Sequence, residues 1–129
     1  MNIYFCGSMT QSQEKMLDYK ELINYLSMYG NVLNKFVGEK KGNLDNNCIY
    51  ERDINNLNLA DVLIADVSIP SLGVGFELGV AESKKIKTLV IYDELRNLPS
   101  GLILGNPNFL VMSYKNLDEA KENIKKFLE

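Results

Sequence analysis

Apolar residues in this chain form five short runs, separated by longer stretches in which apolar positions recur every three or four residues. Short runs rich in β-branched residues are typical of strands buried on both faces of a parallel sheet, and the longer spacing is typical of amphipathic helices. Strands are predicted at about residues 2–6, 31–36, 61–67, 86–92 and 108–113. The pattern therefore predicts alternating strands and helices.

The clearest helical pattern extends from Met16 to Tyr29, with Gly30 following as a predicted C-terminal cap. The sequence also predicts helices at about residues 46–59, 75–85 and 116–128. Asn116, with Glu119 three residues later, is a predicted helix start. Residues 95–107 contain prolines and glycines and are expected to be irregular.

A chain of 129 residues has the size of one ordinary domain, so we expect residues 1–129 to form a single domain. Five strands joined by right-handed crossovers predict an α/β fold: a doubly wound, flavodoxin- or Rossmann-like parallel sheet in the order 2-1-3-4-5. The loops after strands 1 and 3, at residues 7–10 and 70–75, then open into one crevice, where such folds bind ligands.

Composition points to a small-molecule partner. The chain is 46% hydrophobic and 24% charged with a net charge of -3, so it has no broad basic field for nucleic acid or anionic membranes. Apolar runs fall well short of the roughly 20 residues that span a bilayer, and Met1 leads directly into a predicted strand. We expect an intracellular, cytoplasmic protein, with the nucleus left open.

The chemistry available is limited by the absence of histidine. Cys6 and Cys48 are far apart and lack a CxxC spacing, so neither a disulfide framework nor a zinc site is indicated. We expect no metal and no cofactor. Acid–base catalysis near neutral pH would depend on carboxylates, tyrosine, lysine or thiol.

Glu77 is the leading candidate for chemistry. It lies in the glycine-rich segment SLGVGFELG at residues 71–79, directly after a predicted strand. Three glycines, Gly73, Gly75 and Gly79, are expected to allow backbone to approach the carboxylate closely. The alternative is an ordinary glutamate in the first turn of a helix, interacting with the helix dipole.

Asp53 is a candidate second carboxylate. Its predicted helix turns Ile54 and Leu57 toward the sheet, and Asp53 could meet Glu77 across the crevice as the pair of acids that glycosidic-bond cleavage uses. Arg52 is expected on the solvent-facing side. Elsewhere, Tyr4 is predicted as a core aromatic, and Asp61 and Asp66 as residues that order neighbouring turns.

The same segment partly resembles a dinucleotide-binding motif. Gly73 and Gly75 follow a strand and open a helix, and Asp93 follows about twenty residues later. However, the third glycine is one residue late, and the motif follows the third strand instead of the first. Glu77 would also place a negative charge against the pyrophosphate.

Four segments carry a family resemblance: IYFCGS at 3–8, YERD at 50–53, LAD at 59–61 and PSLGVGFELG at 70–79. Together they resemble the nucleoside 2-deoxyribosyltransferase superfamily, and within it the Rcl-like 2′-deoxynucleoside 5′-phosphate N-hydrolases. The resemblance implies that Glu77 attacks C1′ of a deoxyribosyl unit, and that water hydrolyses the resulting ester with retention of configuration. By the same resemblance, Asp53 handles the proton of the departing base and Tyr4 orients the nucleophile.

Ser71 bears on the substrate, because the transferases typically have an aspartate at this position. A hydroxyl at a helix start can donate to a phosphate that a carboxylate would repel, so the resemblance favours nucleoside 5′-monophosphates. Tyr4, Gly7 and Met9 are expected to form a wall that excludes ribose. The implied substrate-binding residues are Cys6, Gly7, Ser8, Met9, Thr10, Tyr19, Ser71 and Gly73.

Two positions depart from the Rcl-like pattern: Thr10 replaces an arginine, and Phe36, which could stack on the base, replaces a histidine. The family also implies a homodimer in which the neighbouring subunit reaches the phosphate site, near Asn106 and Asn108. Two alternatives stay open: a transferase that exchanges bases between deoxynucleosides, and a non-catalytic nucleotide-binding module.

Overall fold

A computed structural model describes residues 1–9, 13–38, 44–96 and 98–129. Five parallel strands form one sheet in the order β2-β1-β3-β4-β5, which confirms the predicted doubly wound fold. The strands are β1 Asn2–Cys6, β2 Asn31–Val32, β3 Val62–Asp66, β4 Lys87–Asp93 and β5 Phe109–Tyr114. The helices are α1 Gln13–Leu26, α2 Asn46–Leu59, α3 Leu72–Ser83, α4 Gly101–Leu104 and α5 Leu117–Leu128.

The two faces of the sheet carry separate apolar clusters, because alternate strand residues point to opposite sides. Ile3 and Phe5 pack with α1 and α5, whereas Tyr4 and Cys6 pack with α2 and α3. Tyr4 is paired with Leu63 of β3 in the register of the sheet. The face that carries Tyr4 is therefore the face covered by α2 and α3.

The second strand is shorter than predicted. It ends at Val32, and Lys35–Gly38 forms a 3-10 turn instead of continuing to residue 36. The Asn34 side chain explains the early end: its Oδ1 accepts from the Phe5 N–H at 2.8 Å, and its Nδ2 donates to the Phe5 carbonyl. The Asn34 amide thus forms the hydrogen bonds to the Phe5 N–H and carbonyl that the backbone of a longer β2 would have formed.

The third helix begins earlier than predicted, at Leu72 instead of Gly75. Ser71 is its N-cap, and the Ser71 Oγ accepts from the Val74 N–H at 3.3 Å. A serine cap satisfies one of the free N–H groups at a helix start. Glu77 consequently lies in the second turn of α3, not in the first turn that a helix beginning at Gly75 would give it.

Two smaller predictions were also wrong. Helix α1 ends at Leu26, and Gly30 is not its cap: a Cβ at Gly30 would lie 2.4 Å from the Met1 carbonyl oxygen, so glycine is needed there for close packing. Within the region expected to be irregular, Gly101–Leu104 forms the short helix α4, capped by Ser100. The predicted Asn116 cap is confirmed, since its side chain accepts from the Glu119 N–H.

Among the described residues, no helix is long and apolar enough to cross a bilayer.

Candidate active site

Helices α2 and α3 bring two acidic side chains to the same edge of the sheet. Only residues 67–71 separate the end of β3 from the start of α3, so the first turns of this helix lie at the carboxyl edge of the sheet. Helix α2 precedes β3 and runs back along the sheet, so its first half lies at that edge as well. Asp53 precedes the buried Leu57 by one helical turn, and Glu77 follows the buried Val74 by three residues. Both positions fall on the inward sides of their helices.

The Tyr4 hydroxyl donates a hydrogen bond to Oε2 of Glu77. Tyr4 is 1% exposed and is predicted correctly as a core aromatic; the carboxylate is the group that satisfies its buried hydroxyl. Burial, together with the negative charges of Glu77 and Asp53, holds the pKa of Tyr4 well above its usual value. Tyr4 is therefore a hydrogen-bond donor to Glu77 throughout the neutral range.

Burial raises the pKa of Glu77 from 4.5 to about 7. The hydrogen bond from Tyr4 opposes this rise, the charge of Asp53 adds to it, and the charge of Arg52 reduces it. Water is partly excluded from the carboxylate, so its charge is poorly solvated near neutral pH. Groups with such a shift inside a cleft are often functional.

Asp53 is held by its neighbour in the chain. The Arg52 Nε donates to Oδ1 of Asp53 at 3.0 Å, and the Arg52 Cζ lies 3.7 Å from the centroid of the Phe36 ring. The prediction that Arg52 simply faces solvent was wrong, because helix α2 turns its side chain onto the 3-10 turn that carries Phe36. Arginine planes favour such stacking on aromatic rings.

The glycines near Glu77 do not have the role expected of them. Apart from its chain neighbours and the nearby backbone of α3, a Cβ at Gly75 or Gly79 would meet no described atom within 4 Å, and one at Gly73 would meet only the Ser71 Oγ, at 3.8 Å. Close approach occurs instead at Gly7, where a Cβ would lie 2.5 Å from Cζ of Tyr19. Only glycine lets the chain leaving β1 lie directly on this aromatic ring.

Tyr19 is fully buried, and burial holds its pKa well above the usual value. A hydrogen bond from the backbone of Ser8 opposes this rise. The position of Tyr19 beneath Gly7 places its hydroxyl under the loop that follows β1.

The other predicted binding residues line the carboxyl ends of β1 and β3. Cys6 and Ser8 are buried, Met9 is partly exposed, and Gly73 is exposed in the first turn of α3. Burial raises the pKa of the Cys6 thiol well above its usual value, so this thiol is not an activated nucleophile. The predicted residue Thr10 lies outside the described residues.

A buried ionic cluster was not predicted. The Lys15 Nζ lies 3.1 Å from Oδ2 of Asp66 and donates to the Tyr114 hydroxyl at 2.7 Å. Asp66 also accepts from the Ser68 N–H at 2.8 Å, which is the turn-ordering role predicted for it. The cluster joins α1, the end of β3 and the end of β5. A lysine inside an amphipathic helix gives no sequence signal that it will be buried.

Asp61, Asn106 and Asn108 are the remaining residues for which the sequence suggested a role. The Asp61 Oδ2 accepts from the Asn2 N–H at 2.7 Å and so ties the start of β1 to the start of β3. Asn106 and Asn108 both donate to Oε2 of Glu82. Across the described residues, no group of three histidine, cysteine or acidic side chains is arranged to hold a metal ion.

Comparison with known proteins identifies the family. The model of the nucleoside 2-deoxyribosyltransferase family matches residues 3–125. A 5-hydroxymethyl-dUMP N-hydrolase of Danio rerio is 35% identical over 141 aligned positions, covering 100% of this chain and 96% of the relative. A protein of Trichoplax adhaerens named as a putative 2′-deoxynucleoside 5′-phosphate N-hydrolase is 39% identical, covering 98% of this chain and 92% of the relative.

Solved structures show the same fold at lower identity. The CMP N-glycosidase BcmB of Clostridium botulinum superposes with a TM-score of 0.75 at 18% identity, covering 98% of this chain and 99% of the other. A 2-deoxyribosyltransferase of Bacillus psychrosaccharolyticus gives a TM-score of 0.68 at 12% identity, covering 94% and 90%. Fold and family together define an α/β enzyme. The chain belongs to the nucleoside 2-deoxyribosyltransferase family.

Proposed function

We propose that this protein hydrolyses the N-glycosidic bond of 2′-deoxynucleoside 5′-monophosphates, releasing the free base and 2-deoxyribose 5-phosphate. The observation that carries the proposal is the Glu77 carboxylate, turned inward and held by the Tyr4 hydroxyl. The names of the relatives from Danio rerio and Trichoplax adhaerens support this substrate class.

In the first step, an electron pair of the ionised Glu77 carboxylate forms a bond to C1′. The C1′–N bond breaks, its electron pair leaves with the base, and the base gains a proton through Asp53. In the second step, the oxygen of water forms a bond to C1′ and the ester bond to Glu77 breaks, which restores the carboxylate. One proton of the water stays on the new hydroxyl of the sugar, and the other passes to Asp53 or to solvent. Two displacements at C1′ give retention of configuration.

The two carboxylates also stabilise the positive charge that C1′ gains in the transition state. Deoxyribose favours this route, because it lacks the electron-withdrawing 2′-hydroxyl. Tyr4 orients the Glu77 oxygen by its hydrogen bond. The Tyr4 ring, with Gly7 and Met9, would form the wall that excludes ribose.

Ser71 supports a monophosphate as the substrate. As the N-cap of α3, Ser71 lies at the positive end of a 12-residue helix. Its Oγ accepts a hydrogen bond from the Val74 N–H, which leaves the hydroxyl hydrogen available to donate to a phosphate. Ser8, the backbone of residues 7–9 and Tyr19 would complete the site, and Cys6 and Gly73 would line it.

The first experiment incubates the protein with a deoxynucleoside monophosphate and, separately, with a deoxynucleoside plus a second free base. Release of base from the first mixture supports the hydrolase; reaction in the second mixture alone would show a transferase and overturn the proposal. Glu77→Ala should abolish product formation. Glu82→Gln, which changes an exposed glutamate of the same helix, is the matched control.

The second experiment replaces Ser71 by aspartate. Aspartate is as good an N-cap as serine, so α3 should be retained. Its charge would repel a phosphate dianion, and kcat/KM for the monophosphate should fall by about 10²-fold or more. Unchanged use of the monophosphate would place the phosphate elsewhere.

We also propose a homodimer. Leu72 is 97% exposed, and Phe76, one helical turn later, is 56% exposed. Leu72 and Leu98 line an apolar hollow of about 440 Å³ that also includes Ser71. Apolar surface of this kind is typical of an interface, and a second subunit covering it would lie against the phosphate site. Light scattering should show a dimer that Leu72→Glu dissociates; a monomeric wild-type protein would contradict this.

A further inference from the structure

The Arg52 guanidinium is fixed in orientation on two sides. Its plane packs on Phe36, with Cζ 3.7 Å from the ring centroid, and its Nε donates to Asp53. Its two terminal amino groups make no hydrogen bond with any other described residue. The side chain remains one-third exposed. Arg52 therefore presents a rigid edge of N–H donors that is already ordered before a ligand binds.

The donor edge lies beside the reacting groups. Arg52 precedes Asp53 in the half of α2 at the carboxyl edge of the sheet, and its charge lowers the pKa of Glu77. A base that leaves C1′ moves away from Glu77, and the proposed proton donor to that base is Asp53. A base bound on the side of C1′ away from Glu77, within reach of Asp53, therefore lies next to the amino groups of Arg52.

Resting on the proposed function, we propose that Arg52 binds the carbonyl oxygen beside the glycosidic nitrogen of the base and stabilises the negative charge that this oxygen gains as the bond breaks. In pyrimidines, the electron pair left on N1 spreads onto the adjacent O2. A guanidinium at O2 stabilises the departing base more than the bound one, which is the condition for catalysis.

The same edge sets a base preference. Arginine has five N–H donors and no acceptor, and the Phe36 ring beneath it cannot accept a conventional hydrogen bond from a base. Pyrimidines present the carbonyl that this edge requires, whereas adenine has no carbonyl next to its glycosidic nitrogen. Wild-type kcat/KM should therefore be higher for dUMP and dCMP than for dAMP.

The decisive experiment measures how the rate depends on the leaving group. The substrates are dUMP and its 5-fluoro and 5-bromo derivatives, whose bases leave more easily than uracil, together with dAMP. Arg52→Gln keeps a planar polar side chain but removes the charge. We expect kcat for dUMP to fall by about 10²-fold, in the range of a lost transition-state donor. The 5-bromo derivative and dAMP should lose much less, so that log kcat depends more steeply on the pKa of the leaving base.

Arg52→Lys and Arg96→Gln serve as the companion variants. Lysine keeps the positive charge without the planar edge, and should retain at least about tenfold more dUMP activity than glutamine, because the charge is the larger part of the effect. Arg96 forms an exposed pair with Asp93 at 3.7 Å, and Arg96→Gln should leave the leaving-group dependence unchanged.

An unchanged leaving-group dependence in Arg52→Gln, with all substrates slowed equally, would overturn the inference, and so would equal activity of the lysine and glutamine variants. Thermal unfolding of each variant separates a folding defect from a chemical one. If wild-type protein releases no base from any monophosphate, the proposed substrate class is wrong; the same series is then measured on the parent deoxynucleosides, where the dependence on Arg52 is tested independently.

Discussion

The hydroxyl of Tyr4 donates a hydrogen bond to the carboxylate of Glu77, across 73 positions of sequence. The bond joins the first strand of the sheet to the second turn of α3. Because Tyr4 cannot move within the core, the bond fixes one oxygen of Glu77 and leaves the other available. It also lowers the pKa of a carboxyl group that burial raises to about 7.

The pH dependence of activity should follow the ionisation of Glu77. A nucleophilic carboxylate must be ionised, so kcat/KM should rise with pH through an apparent pKa of about 7. Tyr4→Phe removes a hydrogen bond that lowers this pKa, and the rise should move to higher pH, with a lower maximal rate. Steady-state rates between pH 5 and 9 test this. Tyr25→Phe, which removes a hydroxyl on α1, is the control; a rise at the same pH in Tyr4→Phe would contradict the prediction.

Glu77 should cost stability at neutral and alkaline pH. Its folded pKa of about 7 lies above the value of 4.5 for a free side chain, so the folded state holds the proton more tightly. Stability must then fall as pH rises from about 4.5 to 7, by at most about 3 kcal/mol, and stay level above that range. Glu77→Gln should be as stable as wild type near pH 4.5 and more stable at pH 8, as judged by urea unfolding. A constant difference across this range would refute the assignment.

The pair of Lys15 and Asp66 should be strongly coupled. Lys15 is 4% exposed and Asp66 is fully buried, so Lys15→Met alone leaves the buried Asp66 charge without its cation, at a cost of about 3 to 5 kcal/mol. The double variant with Asp66→Asn removes both charges, and should unfold at higher denaturant concentration than Lys15→Met alone. Additive losses in the double-mutant cycle would show that the two charges do not interact. Tyr114→Phe should cost less, since it leaves the ion pair in place.

Two glycine substitutions should have opposite effects. Gly7→Ala places a Cβ 2.5 Å from the buried ring of Tyr19, so β1 or α1 must shift, at a cost of about 1 to 3 kcal/mol. Gly79→Ala adds a methyl group that meets no described atom within 4 Å apart from the nearby backbone of α3, and should stabilise the protein by up to about 1 kcal/mol. Thermal melts of the two variants test the contrast; equal midpoints would show that Gly7 tolerates a side chain.

The periodicity of apolar residues was enough to predict the sheet order and most of the helices. The strands are buried on both faces, and such strands leave a strong local pattern. The prediction was wrong where a side chain replaced a backbone partner. Asn34 ends β2 by bonding to Phe5, and Ser71 starts α3 early by capping it. Both interactions involve short polar side chains that are equally common in loops.

In the candidate site, too, local sequence patterns predicted some residues, and others were found only from the folded structure. Glu77 was a candidate from its own segment, because a short motif with its glycines carried the signal. Arg52 looked like an exposed helix residue, and its contacts with Phe36 depend on how α2 packs beside the 3-10 turn. The sequence did not predict that Lys15 is buried against Asp66, since the two residues are 51 positions apart and come into contact only when α1 packs near the end of β3.

The sequence by itself determined the fold, the family and the identity of the acidic side chain proposed for the chemistry, because each depends on local patterns of residues. Only the tertiary structure decided which groups surround that acid and how they change it. The raised pKa of Glu77 results from burial and from the charge of Asp53, while the hydrogen bond from Tyr4 and the charge of Arg52 oppose the rise. Electrostatic effects depend on distance and on exclusion of water, and both are set by packing between segments that are remote in the chain.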